Sequence, residues 1–149
     1  MTETDPAALS GLDLFRLSRD VPAAQRPPGI WSLTGMQIEE VEEGRIVFSL
    51  TPRPEFSNPL GQVHGGIHST LLDSAMGCAV HTTLPAGVGY TTLELKVNFI
   101  RGIALDGPKL FGEGTVIHAG RRTATAEGAI RDAEGTLYAH ATTTCMIFR

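Results

Sequence analysis

The chain has 149 residues, of which 42% are hydrophobic and 19% charged, and 12 Lys and Arg against 16 Asp and Glu leave a net charge of −4. A chain of this length builds one core that buries roughly two thirds of the unfolded surface, so a single domain is expected rather than two. The acidic balance supplies no broad positive field for a phosphate backbone, which argues against a nucleic-acid partner. Apolar stretches are broken by Gly, Thr or His well before the ~20 residues that span a bilayer, and the acid-rich start has no basic n-region, so neither a membrane segment nor an export signal is expected. Cys78 and Cys145 lie far apart, in neither C-x-x-C nor zinc-ligand spacing. Two buried thiols in a reducing cytoplasm are the simplest reading.

Thr4-Asp5-Pro6 reads as a helix cap followed by Pro at the first helical position, and Leu9, Leu12, Phe15 and Leu17 then give a short amphipathic helix. The Pro- and Gly-containing run from Ala23 to Gly29 ends it, so residues 1–30 read as a helical extension and residues 31–149 as the single main domain. Trp31 is expected to anchor the core. Two strands follow, Leu33 to Glu40 and Arg45 to Thr51, joined by a Glu-Glu-Gly turn. After an irregular segment from Phe56 to His64, Gly65 to Leu84 reads as the one long helix, stopped by Pro85 and Gly87. From Gly89 the period changes to two, with Leu93, Leu95, Val97 and Phe99 on one face and Thr92, Glu94, Lys96 and Asn98 on the other. Strands at Leu110 to His118, Thr123 to Arg131 and Leu137 to Phe148 follow, separated by tight turns and therefore antiparallel neighbours. One nearly uncharged helix with about six antiparallel strands has an economical packing, an α+β fold whose curved sheet wraps the helix.

Charge is unevenly placed. Before Leu95 there are five basic and eleven acidic residues, a balance of −6, and from Leu95 onward seven basic and five acidic, a balance of +2. Between Arg53 and Lys96 there is no Lys or Arg, and the only acids are Glu55, Asp73 and Glu94. Such a stretch belongs in a core or an interface. Within it, Asn58-Pro-Leu-Gly61-Gln-Val-His64-Gly65-Gly66 runs straight into the long helix, whose single charged residue is Asp73. A helix N-terminus presents unpaired N–H groups and the positive end of its dipole, and glycines let a substrate oxygen come close. Asp73 is two turns further on, near the same face, so it is either buried and bonded to Ser69, Ser74 or a backbone group, or it does chemistry.

The pattern N-x-x-G-x-x-H-G-G, a mid-helix acid and a following strand series resembles the hotdog-fold acyl-CoA thioesterases of the phenylacetate-pathway (PaaI-like) group, over about Leu33 to Phe148. The resemblance implies that Gly65 donates its N–H to the thioester carbonyl, that Asp73 activates water or attacks directly, and that Asn58 orients water or carbonyl. It further implies that His64 shapes the turn, that Gly66 contributes to substrate binding, and that Thr92 holds the water. The Thr that a Glu-bearing branch carries four residues beyond its acid is replaced by Gly77, so the Asp branch is the better match. The shorter Asp leaves room for a water, which favours general-base attack over an anhydride.

A small acyl-CoA is the implied substrate, with no resident cofactor and no metal. His64 and His68 are spaced one turn apart, but the glutamate of H-E-x-x-H is missing. His68 and His81 read as satisfied helix histidines. Arg121 and Arg122, in a turn of the basic half, are candidates for the coenzyme A phosphates, and Arg101 less so. Phe56, Leu60, Met76 and Val80 are candidates for an acyl pocket. A hydratase is disfavoured because Asp-x₄-His is absent, and a non-catalytic acyl-CoA binder because donor and acid are both present. Gly65 and Asp73 are about 12 Å apart along the helix axis, further than one thioester reaches, so a site shared across a homodimer is expected. The hotdog resemblance implies the same arrangement, with the late strands pairing across the dimer, and dimers are expected to assemble further into a dimer of dimers.

Overall fold

The computed structural model describes residues 5–149. Asp5 accepts a hydrogen bond from Ala7 N–H and caps a 3-10 turn, Pro6–Ala8, while Thr4 of the expected cap lies outside the described residues. The first α-helix, α1 (Gly11–Arg19), starts at a second cap, Ser10, whose hydroxyl accepts Asp13 N–H. Leu9 therefore precedes the helix. Phe15 is the residue that α1 buries in the core.

The expected strand from Leu33 is corrected. Residues Ile30–Thr34 form a short helix, α2, closed by Gly35 at φ 75°, whose N–H returns to Trp31 O. A left-handed cap of this kind ends a helix and re-aims the chain, so β1 begins only at Gln37 (Gln37–Glu42). Leu33 is 69% exposed on α2. β2 (Arg45–Leu50) follows through the turn at Gly44, and the long helix α3 spans Gly65–His81. β3 (Gly89–Phe99), β4 (Leu110–Ala119), β5 (Thr123–Arg131) and β6 (Leu137–Phe148) complete the chain.

The six strands form one antiparallel sheet in the order β1-β2-β4-β5-β6-β3. It curls around α3, which touches β2, β3, β4, β5 and β6 and buries Leu71, Leu72, Ala75, Met76, Ala79 and Val80. Close approach is possible because β4 carries Gly112 and Gly114 where the helix crosses. A Cβ on Gly114 would lie 2.3 Å from Ala75 O.

Two further expectations are corrected here. The alternation of β3 breaks at a bulge between Thr92 and Glu94, which turns Leu93 outward, 51% exposed, while Leu95 and Val97 stay against the core. Strands β4, β5 and β6 each have a neighbour on both sides, so the late strands cannot pair between copies. Among the described residues the open sheet edges are β1 and β3.

Candidate active site

The loop before α3 is built by its own polar groups. Asn58 Oδ1 accepts from Leu60 N–H at 2.9 Å and Gln62 N–H at 3.0 Å, an arrangement in which a short amide side chain replaces a backbone acceptor. Ser57 bridges to Val63 and Gln62 to Ala104, and His64 N–H donates to Phe56 O at 2.8 Å. These bonds fix where His64 starts the helix. The oxygen of Asn58 is thus committed to the loop, and only its amide nitrogen is left to meet a substrate or water.

His64 is the N-cap of α3. Its Nδ1 accepts Gly66 N–H at 2.8 Å and its carbonyl accepts Ile67 N–H at 2.9 Å, so the ring proton sits on Nε2. Gly65 N–H has no acceptor among the described residues. It is the one first-turn donor available to a ligand, since the neighbouring N–H groups are taken. Gly66 is small of necessity, because a Cβ there would lie 3.0 Å from His64 Nδ1.

Asp73 is exposed on α3, and the Thr92 hydroxyl of β3 donates to its Oδ1 at 2.8 Å. That bond fixes one carboxylate oxygen, and Oδ2 has no hydrogen-bond partner among the described residues. The alternative partners are occupied elsewhere: Ser69 donates to Gly65 O at 3.0 Å, and Ser74 accepts from Trp31 Nε1 at 3.1 Å. Trp31 also packs on Phe48, with ring centroids 4.9 Å apart, which joins α2 to the core beside the acid.

Tyr90, which sequence reasoning missed, explains Gly77. A Cβ on Gly77 would lie 3.1 Å from the Tyr90 hydroxyl and Cε2, so the ring fills the place of a side chain there. Burial raises the Tyr90 phenol, with Cys78 adding to the shift, and burial likewise raises the Cys78 and Cys145 thiols. These groups stay neutral and act as packing around Asp73.

His81 lies against Phe15 and Tyr90, and burial lowers its pKa. His68 is lowered chiefly by burial and secondarily by His64, and neither of its ring nitrogens has a partner among the described residues, contrary to the expectation of a satisfied histidine. Among the described residues no three His, Cys, Asp or Glu side chains come together as metal ligands do.

The proposed acyl-pocket residues do not form a pocket. Phe56, Met76 and Val80 are 5%, 0% and 0% exposed within the core, and Leu60 projects from the loop. Each was a plausible lining residue by position, but the sheet closes over that side of α3. Arg121 and Arg122 are exposed in the β4–β5 turn, pinned by Ile147 N–H to Arg122 O and by Arg149 Nε to Arg121 O. The register Thr92, Cys145, Ala124 puts that turn at the same end of the sheet as Thr92, roughly 12 Å away across two strand spacings.

Residues 60–139 match the model of the Thioesterase superfamily. A Saccharolobus solfataricus protein that carries an esterase name is 32% identical over 120 residues, covering 80% of this chain and 84% of that one. A Halobacterium salinarum protein, also with an esterase name, is 31% identical over 104 residues, 66% of this chain and 67% of its own. Among solved structures, a phenylacetic acid degradation-related protein from Ralstonia eutropha JMP134 is similar at 29% identity and TM-score 0.75, covering 92% of this chain and 98% of that one. The E. coli PaaI protein from the phenylacetic acid degradation operon shares the fold at TM-score 0.79 and 20% identity, over 93% of this chain and 96% of its own. With the His64-Gly65-Gly66 turn, α3, β3, β4 and β5 inside the matched segment, the chain belongs to the Thioesterase superfamily and has the PaaI-like hotdog fold.

Proposed function

We propose that the protein hydrolyses a small acyl-CoA thioester to the free acid and coenzyme A. The observation that carries this reading is the pairing of an exposed Asp73 carboxylate, oriented by Thr92 at 2.8 Å, with a helix N-terminus whose Gly65 N–H is unused. Asp73 takes a proton from water as the water oxygen attacks the carbonyl carbon. The oxyanion so formed is held by Gly65 N–H and the positive end of the α3 dipole. As the tetrahedral species collapses, the C–S bond breaks and the leaving sulfur receives the proton from Asp73. His64 keeps the turn in shape through Gly66, and Asn58 offers its amide nitrogen to the water or carbonyl. No resident cofactor enters this scheme; coenzyme A arrives as part of the substrate. In this reading Arg121 and Arg122, exposed in the β4–β5 turn, grip its phosphates.

The reacting groups come from two copies in an isologous dimer formed along β3. That edge is open and its surroundings are unusually apolar for an exposed strand, with Leu93, Phe99 and Ile100 each about half exposed. Antiparallel pairing centred between Leu95 and Lys96 sets the Phe99 end of one copy, which lies on Gly65, beside the Thr92 end of the other. Such dimers assemble further into a dimer of dimers, and the setting is cytoplasmic. The direct experiment is thioester cleavage by the purified protein with Asp73→Asn as control. The exposed substitution preserves the fold, and kcat is expected to fall at least ~10²-fold. Unchanged turnover in the variant excludes Asp73 as the base.

A further inference from the structure

The α3 N-terminus holds one polar side chain that this reaction leaves idle. His68 is 4% exposed, and both its ring nitrogens are buried without a partner. Buried polar atoms in native proteins are almost always bonded, so an unpaired imidazole beside a ligand-binding helix end calls for a reason. Its cover is Phe99. The two rings are 5.4 Å apart at 42°, and the same Phe99 ring meets Gly65, where a Cβ would lie 3.1 Å from Phe99 Cε1 and Cζ. Phe99 is 55% exposed in the single chain, at the end of the edge strand β3 along which the two copies of the proposed dimer meet. A single aromatic ring thus packs on both Gly65 and His68.

Geometry sets what could reach behind that ring. Side chains on a helix lean toward its N-terminus, so His68 covers the turn that begins at Gly65, and positions three apart have Cβ atoms roughly 5–6 Å apart. A carbonyl oxygen bound at Gly65 N–H is therefore joined to the imidazole by two or three carbons and one hydrogen bond of about 2.8 Å. A neutral imidazole has one donor and one acceptor, which suits a hydroxyl or a keto oxygen. The lowering of the His68 pKa by burial agrees with a neutral ring.

We propose that Phe99 and His68 form the acyl subsite, Phe99 turning aside as an apolar wall and His68 bonding an oxygen carried two or three carbons beyond the thioester carbon. The inference rests on the hydrolase reading above and adds the substrate class, an acyl thioester oxygenated near its β position. A site built to bond such an oxygen discriminates against the analogue lacking it.

The test compares 3-hydroxyhexanoyl-CoA with hexanoyl-CoA through the ratio of their kcat/KM values, which is independent of the fraction of folded protein. The wild-type ratio is expected to favour the hydroxylated substrate about tenfold, one hydrogen bond's worth of discrimination. His68→Leu should bring the ratio to about one, and His68→Gln, which keeps a donor and an acceptor, should restore much of it. A wild-type ratio near one, or a ratio unmoved by His68→Leu, overturns the subsite. If neither thioester is cleaved, the hydrolase reading has failed, and the same ratio is measured as binding of the two non-hydrolysable thioether analogues. Preference for the hydroxylated thioether that His68→Leu abolishes then supports the subsite by itself, and its absence rejects it.

Discussion

Arg121 and Arg122 lack carboxylate partners among the described ion pairs, whereas Arg45 is shared by Glu40, Glu42 and Glu113. A guanidinium not already paired is available for a phosphate, so replacing both by Ala should raise KM for a CoA thioester several-fold more than for the matching pantetheine thioester. Equal effects on the two substrates would remove these residues from phosphate binding. His68 and His81 set a different dependence. Burial lowers both from the ordinary value near 6.5, so between that value and their folded values the unfolded chain binds more protons than the native one. Stability should therefore rise with pH through this window and fall as the solution is acidified from pH 7 toward pH 5. Melting curves at pH 7, 6 and 5 check this, and His81→Gln should flatten the slope. Glu39, lowered by its bonds from Lys109 and Ser49, adds a loss of stability of the same sign at the acid end of this range. At this scale the glycine-rich turn and the lone helix acid singled out Gly65 and Asp73, and the family resemblance singled out Thr92, whose hydroxyl the fold brings to Asp73. The sequence did not disclose Phe99 over His68, since that contact exists only once β3 returns along α3.

Elements are held at their spacing by a few small residues. Gly114 lies in β4 directly under Ala75 of α3, and any Cβ there must displace the helix backbone rather than a flexible side chain. Gly114→Val should destabilise the fold by roughly 1–3 kcal/mol or more, as overpacking does, and because α3 carries both Gly65 and Asp73 it should lower turnover in the folded fraction as well. Urea titration together with activity per folded molecule separates the two effects; full stability would show that the sheet can yield. Gly11 makes the corresponding contact between α1 and the end of α3, donating its N–H to Leu84 O at 3.0 Å. The late strands and the long helix were readable from periodicity, because a half-buried strand and a wrapped helix leave clear signatures, whereas the placement of β3 beside β6 and β2 beside β4 was not. The short α2 was not, since five residues hold too few turns for a period, and only the left-handed Gly35 that closes it marks its end. The bulge in β3 was equally hidden, for its apolar Leu93 continues the alternation that the backbone interrupts.

For the molecule as a whole, the proposed reaction needs both Gly65 and Asp73, and one chain does not bring them within reach of a single thioester. Eight residues of helix separate Gly65 from Asp73, about 12 Å of axial rise. A thioester oxygen ~3 Å from the glycine N–H and a water ~3 Å from the carbonyl carbon span about half of that, even with the Asp side chain leaning back toward the N-terminus. Since α3 is one uninterrupted helix, no rearrangement short of unwinding it closes the gap. In the proposed dimer a two-fold axis through the β3 edge would close it, by setting each Gly65 opposite the Asp73 of a second copy and generating two equivalent sites. Mixing Asp73→Asn with a Gly65 variant whose added side chain obstructs the donor gives, after subunit exchange, heterodimers with one site free of both substitutions and one site carrying both. Activity should reappear at about half the wild-type value per heterodimer, scaling with the heterodimer fraction measured by native mass spectrometry. Silent mixtures in which exchange is demonstrated would place donor and base in the same chain and break the shared-site reading.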